Sequence, residues 1–354
     1  APTWTCCRNT TLVDTIMSLA VLIPAFNEVR SIRAAVWSCY RAGFTPADVY
    51  VCDDGSTDGT AAEVVLMNAQ VVSFPNKGKA STIHRGLLHF NLFDRYTYVS
   101  ILDADCLMHE HYRDELLTTI DAHPTAALIG GHELGQRTRF NWLVAWRAVE
   151  YAIYGGVFRE AQHAMGAIVV VPGLCSTFRT DVLRTLAFGN KTLVEDMDWT
   201  VQLHRRGEEV IYAPNATVYS QNPRTLHDYI GQISRWYRGT WQVIKLHRVG
   251  RGKQRIDAEF VLCLGEMYVF VAFMVLFPLW LILIPRYMGL GVLVDQAILL
   301  TYTLLVAIRE RRMDVLIAFP LFTIPRTLNM LVFTWAYWAE RRQPETRWYS
   351  VARE

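Results

Sequence analysis

The sequence predicts an α/β domain built on a mostly parallel sheet, followed by apolar segments of membrane length. Three observations predict it. Short, continuous apolar runs alternate with helix-period stretches over the first hundred residues, the pattern of strands covered on both faces by helices. Each apolar run ends in a cluster of Asp, Asn, Lys or Gly, and ligands of such sheets bind at the carboxyl ends of the strands. From residue 260 onward the composition turns apolar.

Residues 1–17 read as a lead-in. Leu19–Pro24 is the first buried strand. Asn27 is placed to cap the next helix, whose apolar positions Ile32, Ala35, Val36, Cys39 and Tyr40 keep helical spacing up to Gly43. Val49–Cys52 is a second strand, running into the polar loop Asp53–Thr60. Val71–Phe74 is a third, leading to Asn76-Lys77-Gly78-Lys79 and another helix. Tyr98–Leu102 is a fourth, ending in Asp103-Ala104-Asp105. The stretch 141–160 is helical and aromatic (Trp142, Trp146, Tyr151, Tyr154, Phe158), which suits either core packing or a membrane surface. At Val194–Trp199 two adjacent carboxylates, Glu195 and Asp196, open a short helix that ends at Gly207. A helix start supports negative charge through its free N–H groups. Residues 224–248 form an amphipathic helix with Gln232, Arg235, Trp236, Arg238 and Trp241, and the basic run Lys245–Arg255 suits an anionic leaflet.

Beyond it lie three candidate spans: Phe260–Ile284, Gly289–Ile308, and Val315–Trp338, the last interrupted by Pro320, Pro325 and Arg326. Arg309, Arg311 and Arg312, and then Arg341, Arg342 and Arg347, favour the cytoplasmic side. Three full crossings would put the tail outside, so the Pro-broken third segment is expected to be re-entrant or interfacial. The domains expected are a lead-in (1–17), a catalytic domain (18–223), interface helices (224–258), transmembrane segments (259–340) and a tail (341–354).

Of the 354 residues, 52% are hydrophobic and 19% charged, and the net charge of +2 provides no field for nucleic acid. Seven cysteines (6, 7, 39, 52, 106, 175 and 263) lack zinc spacing and read as reduced thiols of a cytosolic domain. The sequons at Asn9, Asn190 and Asn215 are then chance matches. No basic start followed by an apolar run opens the sequence, so no signal peptide is expected.

Several of these polar residues suit one chemistry. Asp103 and Asp105 offer the carboxylate oxygens that Mg²⁺ or Mn²⁺ takes beside phosphate oxygens. Asp53 and Asp54 either stabilise a turn or accept hydrogen bonds from a nucleobase or ribose. Lys77 and Lys79 suit a diphosphate or a solvated loop. Arg235 provides a bidentate fork for phosphate. Trp236 offers a flat face for a sugar ring, or ordinary packing of an amphipathic helix.

The runs Ile23-Pro24-Ala25-Phe26-Asn27-Glu28, Asp53-Asp54-Gly55-Ser56, Asp103-Ala104-Asp105, Glu195-Asp196 and Gln232-Ile233-Ser234-Arg235-Trp236 follow one another as in the family-2 glycosyltransferases. The sequence resembles their processive membrane branch, the cellulose, chitin, hyaluronan and poly-N-acetylglucosamine synthases. The resemblance is dense over about residues 18–245. The tail Arg347–Arg353 also resembles the end of bacterial poly-N-acetylglucosamine synthases. It implies a GT-A fold and inverting transfer from a UDP-sugar donor to a glycan acceptor. Phe26, Glu28, Asp53 and Asp54 would face the uridine. Lys79, Asp103 and Arg235 would hold the nucleotide, and Asp105 with Asp103 would bind Mg²⁺ or Mn²⁺. Asp196 would be the general base, supported by Glu195. Gln232, Trp236, Gly173, Cys175 and Ser176 would line the acceptor, and Trp348 and Arg353 would belong to a gating loop.

The resemblance implies an integral plasma- or inner-membrane enzyme with a cytoplasmic catalytic domain on a lipid bilayer, with a homo-oligomer as one expected state. Members of the branch usually place membrane helices ahead of the catalytic domain, whereas this sequence starts close to the first strand. A short product, an oligomer or no pore is then expected. The family's Glu ahead of the Gln-x-x-Arg-Trp element stands here as Gln221. Single addition to a lipid or protein acceptor is the second reading. A silent nucleotide-binding sensor would not need Asp54, Asp103, Asp105 and Asp196, and a nucleotidyltransferase would not need the Arg-Trp element.

Overall fold

Residues 17–189 and 191–342 are described by a computed structural model. The strands are β1 (Leu19–Ala25), β2 (Val49–Asp53), β3 (Gln70–Ser73), β4 (Tyr98–Ile101), β5 (Leu107–Met108), β6 (Leu128–Gly135), β7 (Ser176–Arg179) and β8 (Val210–Ser220). They form one sheet in the order β3-β2-β1-β4-β7-β6-β8-β5. The half read from sequence, β3-β2-β1-β4, is parallel throughout. In the other half β7 runs antiparallel to both β4 and β6, β6 and β8 are parallel, and β5 is antiparallel to β8.

All seven residues of β1 and all five of β2 are buried, because helices cover both faces of the sheet. The two-residue period of a strand divides these side chains between two cores. Val21, Ile23, Val49 and Val51 pack on one side with α1 (Ile32–Arg41). They are joined there by Leu116 and Ile120 of α5 (Tyr112–Ala122). Ala20, Leu22, Tyr50 and Cys52 pack on the other, with Ile83 and Leu87 of α3 (Lys79–His89). Trp199 and Leu203 of α9 (Glu195–Arg206) complete that second core. Short helices α2 (Thr60–Leu66), α4 (Leu92–Arg95) and α8 (Thr180–Leu183) fill the remaining connections.

Asn27 does not cap α1. Its backbone is left-handed (φ 55°), and its side-chain oxygen accepts from the Thr57 N–H at 2.9 Å. In return the N–H groups of Asn27, Glu28 and Val29 donate to Ser56 Oγ, Thr60 Oγ1 and Asp58 Oδ2. The loops after β1 and β2 are therefore laced into one ledge at the carboxyl edge of the sheet.

The aromatic stretch divides. Asn141 caps α6 (Trp142–Glu150), accepting from Leu143 and Val144 N–H, and residues 143–150 are buried. A π-helical segment, Tyr151–Phe158, follows, then α7 (Arg159–Met165), ended by left-handed Gly166. The first half is thus core, whereas Tyr154 and Val157 are exposed. The amphipathic helix α10 (Leu226–Leu246) starts at Thr225, whose hydroxyl accepts the Asp228 N–H.

Beyond it come α11 (Arg255–Leu283), α12 (Pro285–Arg309), α13 (Asp314–Ala318) and α14 (Thr323–Arg342). Among the described residues α12 is the one unbroken helix long and apolar enough to cross a membrane, and two bent helix pairs reach the same length and apolarity. The expected break in the third segment is present, a 57° bend between Asp314–Leu321 and α14. The first segment is bent as well, by 54° between Phe273 and Val275, ahead of Pro278. Asp295 of α12 and Arg326 of α14 pair in a bidentate fork at 2.7 and 2.8 Å, so these charges within the apolar segments satisfy each other.

Helix α3 lies on β2 at Gly86, where an added Cβ would stand 2.0 Å from Cys52 Sγ. Alanine would gain about 1 kcal/mol of helix propensity there. Overpacking a fixed core costs about 1–3 kcal/mol and should outweigh the gain. Gly86→Ala is expected to lower the thermal unfolding midpoint in detergent. Adding Cys52→Ala should restore it; a midpoint unchanged in the single variant would mean that α3 floats on the sheet.

Candidate active site

The carboxyl edge of the sheet gathers the acidic residues. Lys79 stands at the start of α3, and its ammonium reaches Asp103 Oδ1 at 2.7 Å and Glu195 Oε1 at 3.0 Å. One cation thus ties the loop after β4 to the first turn of α9. Burial works against its charge, but Asp103, Glu195 and Asp196 more than offset this and hold the Lys79 pKa above the usual range.

Glu195 and Asp196 occupy the first turn of α9, behind Val194 as N-cap. Burial opposes ionisation of Glu195, yet the Lys79 ammonium and the Arg235 guanidinium together keep it below the ordinary range. Asp196 goes the other way. Burial and the Glu195 charge push it up to about 6, against Lys79 and the two N–H groups it accepts from, Gly173 at 3.0 Å and Met197 at 2.8 Å. Two adjacent carboxylates are thereby separated in acidity, one fixed as an anion and one poised to exchange a proton.

Asp105 is raised to about 7 by burial and by the neighbouring Asp103. Arg235 lies in the field of Glu195, Asp196, Asp103 and Asp105, and donates to the Leu193 carbonyl at 3.1 Å. Four carboxylates thus face two cations, Lys79 and Arg235, a formal excess of two negative charges. Among the described residues no three His, Cys, Asp or Glu side chains converge as a self-sufficient metal cage. Two carboxylates with excess charge fit a Mg²⁺ or Mn²⁺ ion that takes its other ligands from phosphate and water.

The loop residues divide. Phe26 is 45% exposed at the mouth of the ledge. Glu28 is buried, accepting from Ser31 Oγ at 2.6 Å, and Asp53 accepts the Ser56 N–H at 3.0 Å. Asp53 is 2% exposed. Asp54 is 4% exposed and engaged by the loop after β3 and by α3, accepting from Lys77 N, Gly78 N, Thr82 Oγ1 and Arg85 Nη2. It fixes the loop that presents Lys79. Thr82 and Arg85 were not singled out from the sequence, because nothing in a helix pattern marks a side chain that turns back to a loop acid.

Gly173 meets the site through its N–H, and a Cβ there would come within 3.1 Å of Lys79 Nζ. Cys175 and Ser176 do not form an acceptor wall. Cys175 is fully buried with its thiol on the Gly131 carbonyl, and Ser176, in β7, is 1% exposed. On α10, Gln232 Oε1 is buried without a hydrogen-bond partner. Trp236 stacks on the guanidinium of Arg147, 4.6 Å from the ring centre. That contact was not legible either, since Arg147 lies in an aromatic helix ninety residues away. Trp348 and Arg353 lie outside the described residues.

Helix α10 presses on α9 at Gly239, where a Cβ would lie 2.7 Å from both Val194 methyl groups. Gln242 also accepts the Leu193 N–H at 2.8 Å. The segment immediately before the acidic pair is therefore held at three points along one face of α10.

Residues 17–239 match the model of glycosyltransferase like family 2. The chain is 23% identical over 239 residues to poly-β-1,6-N-acetyl-D-glucosamine synthase of Staphylococcus aureus, covering 66% of this chain and 57% of that protein. The same identity holds over 236 residues to the synthase of that name from Staphylococcus epidermidis, covering 65% and 56%. The chain thus spans little more than half the length of these relatives. Among solved structures, a mannosyltransferase of Pyrobaculum calidifontis in complex with GDP-mannose and Mn²⁺ superposes with a TM-score of 0.59. The identity is 18%, over 86% of this chain and 87% of that one, a likeness of fold, and the fold is GT-A. With the match running from the start of β1 through the Arg-Trp pair of α10, the chain belongs to glycosyltransferase like family 2.

Proposed function

We propose that the protein is a membrane-bound inverting glycosyltransferase that moves a sugar from a UDP donor to a growing β-linked polysaccharide, with N-acetylglucosamine or glucose as the unit. The observation that supports this most is the Lys79-tied acid cluster lying directly under the Arg235 and Trp236 helix. A donor site and an acceptor platform then share one wall.

In this reading Phe26 and the laced loops carrying Glu28 and Asp53 frame the uridine. Lys79 and Arg235 meet the diphosphate. Asp103 and Asp105 would hold Mg²⁺ or Mn²⁺, which when bound offsets charge growing on the UDP leaving group. Asp196 takes the acceptor hydroxyl proton as that oxygen attacks the anomeric carbon from the face opposite UDP. The Gly173 and Met197 N–H groups orient the base, and Glu195 holds Lys79 beside it. Trp236 supports the acceptor sugar, and the unpartnered Gln232 oxygen accepts one of its hydroxyls. Helices α11 to α14 anchor the domain in the bilayer.

UDP release in detergent with Mn²⁺ or Mg²⁺, with UDP-glucose, UDP-N-acetylglucosamine and UDP-glucuronate offered in turn, tests this directly. One donor should turn over, with a product ladder on a gel. Asp196→Asn should reduce turnover by about 10²–10⁴-fold, the usual share of a general base. A product extended by one sugar would favour single addition, and equal release by the variant would remove Asp196 as base.

The sign of the pH dependence follows from the raised Asp196 acidity. The base works ionised, so kcat/KM should climb as pH rises through about 6 and level above it. Because its folded pKa lies above the unfolded value, Asp196 favours folding at low pH and loses that contribution as pH rises toward 6. Asp196→Asn should accordingly hold or raise the unfolding midpoint at pH 8; a midpoint several degrees lower would mean that the carboxylate is structural.

Gly239→Ala should force α10 away from Val194. Displacement of the first turn of α9 by a fraction of an ångström is expected to cost roughly 10- to 100-fold in turnover. Circular dichroism should be unchanged, and wild-type turnover would show that the contact does not position the acids.

A further inference from the structure

Away from the acid cluster, the structure contains a second recess, a cleft of about 750 Å³ between the β5–β8 edge of the sheet and the turn joining α12 to α13. Its charge is opposite to that of the candidate active site. Arg309, Arg311 and Arg312 reach it from the turn and Arg137 from the loop after β6, against Glu115 and Glu310. Four guanidinium groups face two carboxylates in the lining, and with Asp314 pairing Arg312 the formal excess is one positive charge.

The turn is fixed. Arg311 is left-handed (φ 53°), Arg312 N donates to the Ala307 carbonyl at 3.0 Å, and Arg137 donates to the Glu310 carbonyl. Arg312 is 6% exposed, and Asp314 holds its Nε and Nη2 at 3.2 and 2.5 Å. Its Nη1 is buried and has no hydrogen-bond partner. A buried guanidinium N–H left unmatched is costly unless something accepts it. The side chains of Arg309 and Arg311 make no ion pair among the described residues. Burial, and to a lesser degree the Arg159 and Arg309 charges, push His132 on the cleft wall down to about 4.

We propose that this cleft binds a phosphate-bearing anion. A phosphomonoester carries nearly two negative charges at neutral pH and accepts the parallel N–H pairs that arginine offers. That charge offsets the positive excess in the lining, and the unmatched Arg312 Nη1 gains an acceptor. The site lies at the end of α12, the helix long enough to span a membrane, so a phospholipid headgroup and a soluble phosphate ester both have access.

The cleft is linked to the acid cluster. Gln136 lines it and donates its side-chain amide to the Asp105 carbonyl at 2.9 Å and the Tyr219 carbonyl at 3.3 Å. Leu107 and Tyr219, paired across β5 and β8, both line it too. An occupant would stiffen the strand that begins two residues after Asp105, and so raise activity by fixing the loop.

The test compares the full chain with Arg309→Gln/Arg311→Gln, two exposed changes outside the catalytic cluster. Each protein is placed in neutral phosphatidylcholine nanodiscs, with and without inorganic phosphate, and in phosphatidic acid nanodiscs without phosphate. Thermal unfolding is read in every case. The wild type should be stabilised by phosphate, by phosphatidic acid or by both, and the double variant should need at least about tenfold more, given the strength of charged hydrogen bonds. Stabilisation by phosphatidic acid alone assigns a headgroup, and stabilisation by inorganic phosphate in neutral discs assigns a soluble ester. Equal stabilisation of wild type and variant, or none of the wild type, overturns the proposal. Unfolding is read without donor, so failure of the UDP-release assay would not affect the result.

Discussion

The Lys79 ammonium, seated between Asp103 and Glu195, is the interaction on which the rest of the site depends. Those two carboxylates belong to parts of the chain ninety residues apart, the loop after β4 and the start of α9. Without a cation between them, they would repel across a buried gap. A buried ion pair repays its desolvation only when its geometry is good and its other lone pairs are matched. Here the matching is provided by the ledge. Asp54 collects two backbone N–H groups, a hydroxyl and a guanidinium to hold the 77–82 segment, and so fixes the direction from which Lys79 enters. The parallel sheet supplies the frame, because it ends every strand that matters on the same side.

A second constraint comes from α10. Its side facing the sheet is cut back to glycine at Gly239 so that Val194 can press against the helix, while Arg235 and Gln242 hold the Leu193 carbonyl and N–H. The opposite side is occupied by α14. Phe333 packs on Tyr237 and Trp241, and Glu340 accepts from Arg238 and Gln242. Gln242 therefore touches both the loop before the acidic pair and the last apolar helix. Displacement of α14 would reach the acids through one side chain.

The first four strands and their order of polar loops were legible, because strands buried on both faces leave unbroken apolar runs and the strand ends leave polar clusters. The acidic pair was legible through its helix start and Gly207. What escaped was whatever depends on pairing at a distance. The antiparallel strand β7 has the same composition as a parallel one, and its direction is set by which neighbours it meets. Asp54 was read as either a turn stabiliser or a nucleoside contact, since a carboxylate in a Gly/Ser loop carries no mark of the Thr82 and Arg85 that enclose it. Cys175 was placed along the acceptor by the family resemblance, yet the chain re-enters the core within two residues of Gly173. Asn27 looked like a cap, and its left-handed backbone instead sends it to the next loop.

The stretch that the sequence left open between core and membrane surface shows why such ambiguity arises. Arg147 is 1% exposed, bound to Glu150 at 2.5 Å and to Tyr151 Oη at 2.9 Å, and it stacks on Trp236. Glu150 accepts from Asn329 of α14, Asn329 accepts from Tyr229 of α10, and Tyr229 accepts from the Trp146 indole. Replacing such a network with apolar side chains often leaves stability unchanged or improved, so its presence is weak evidence for stability. Its effect is on register: each partner is satisfied in one mutual placement of α6, α10 and α14, and a slip of one turn would strand a buried charge. Apolar helices alone pack in several ways. The aromatic residues around Arg147 are abundant because they must cover a charge, and a helix rich in Trp and Tyr is also what a membrane interface would select. The two readings share a composition, and the buried guanidinium decides between them for the Trp142–Glu150 half.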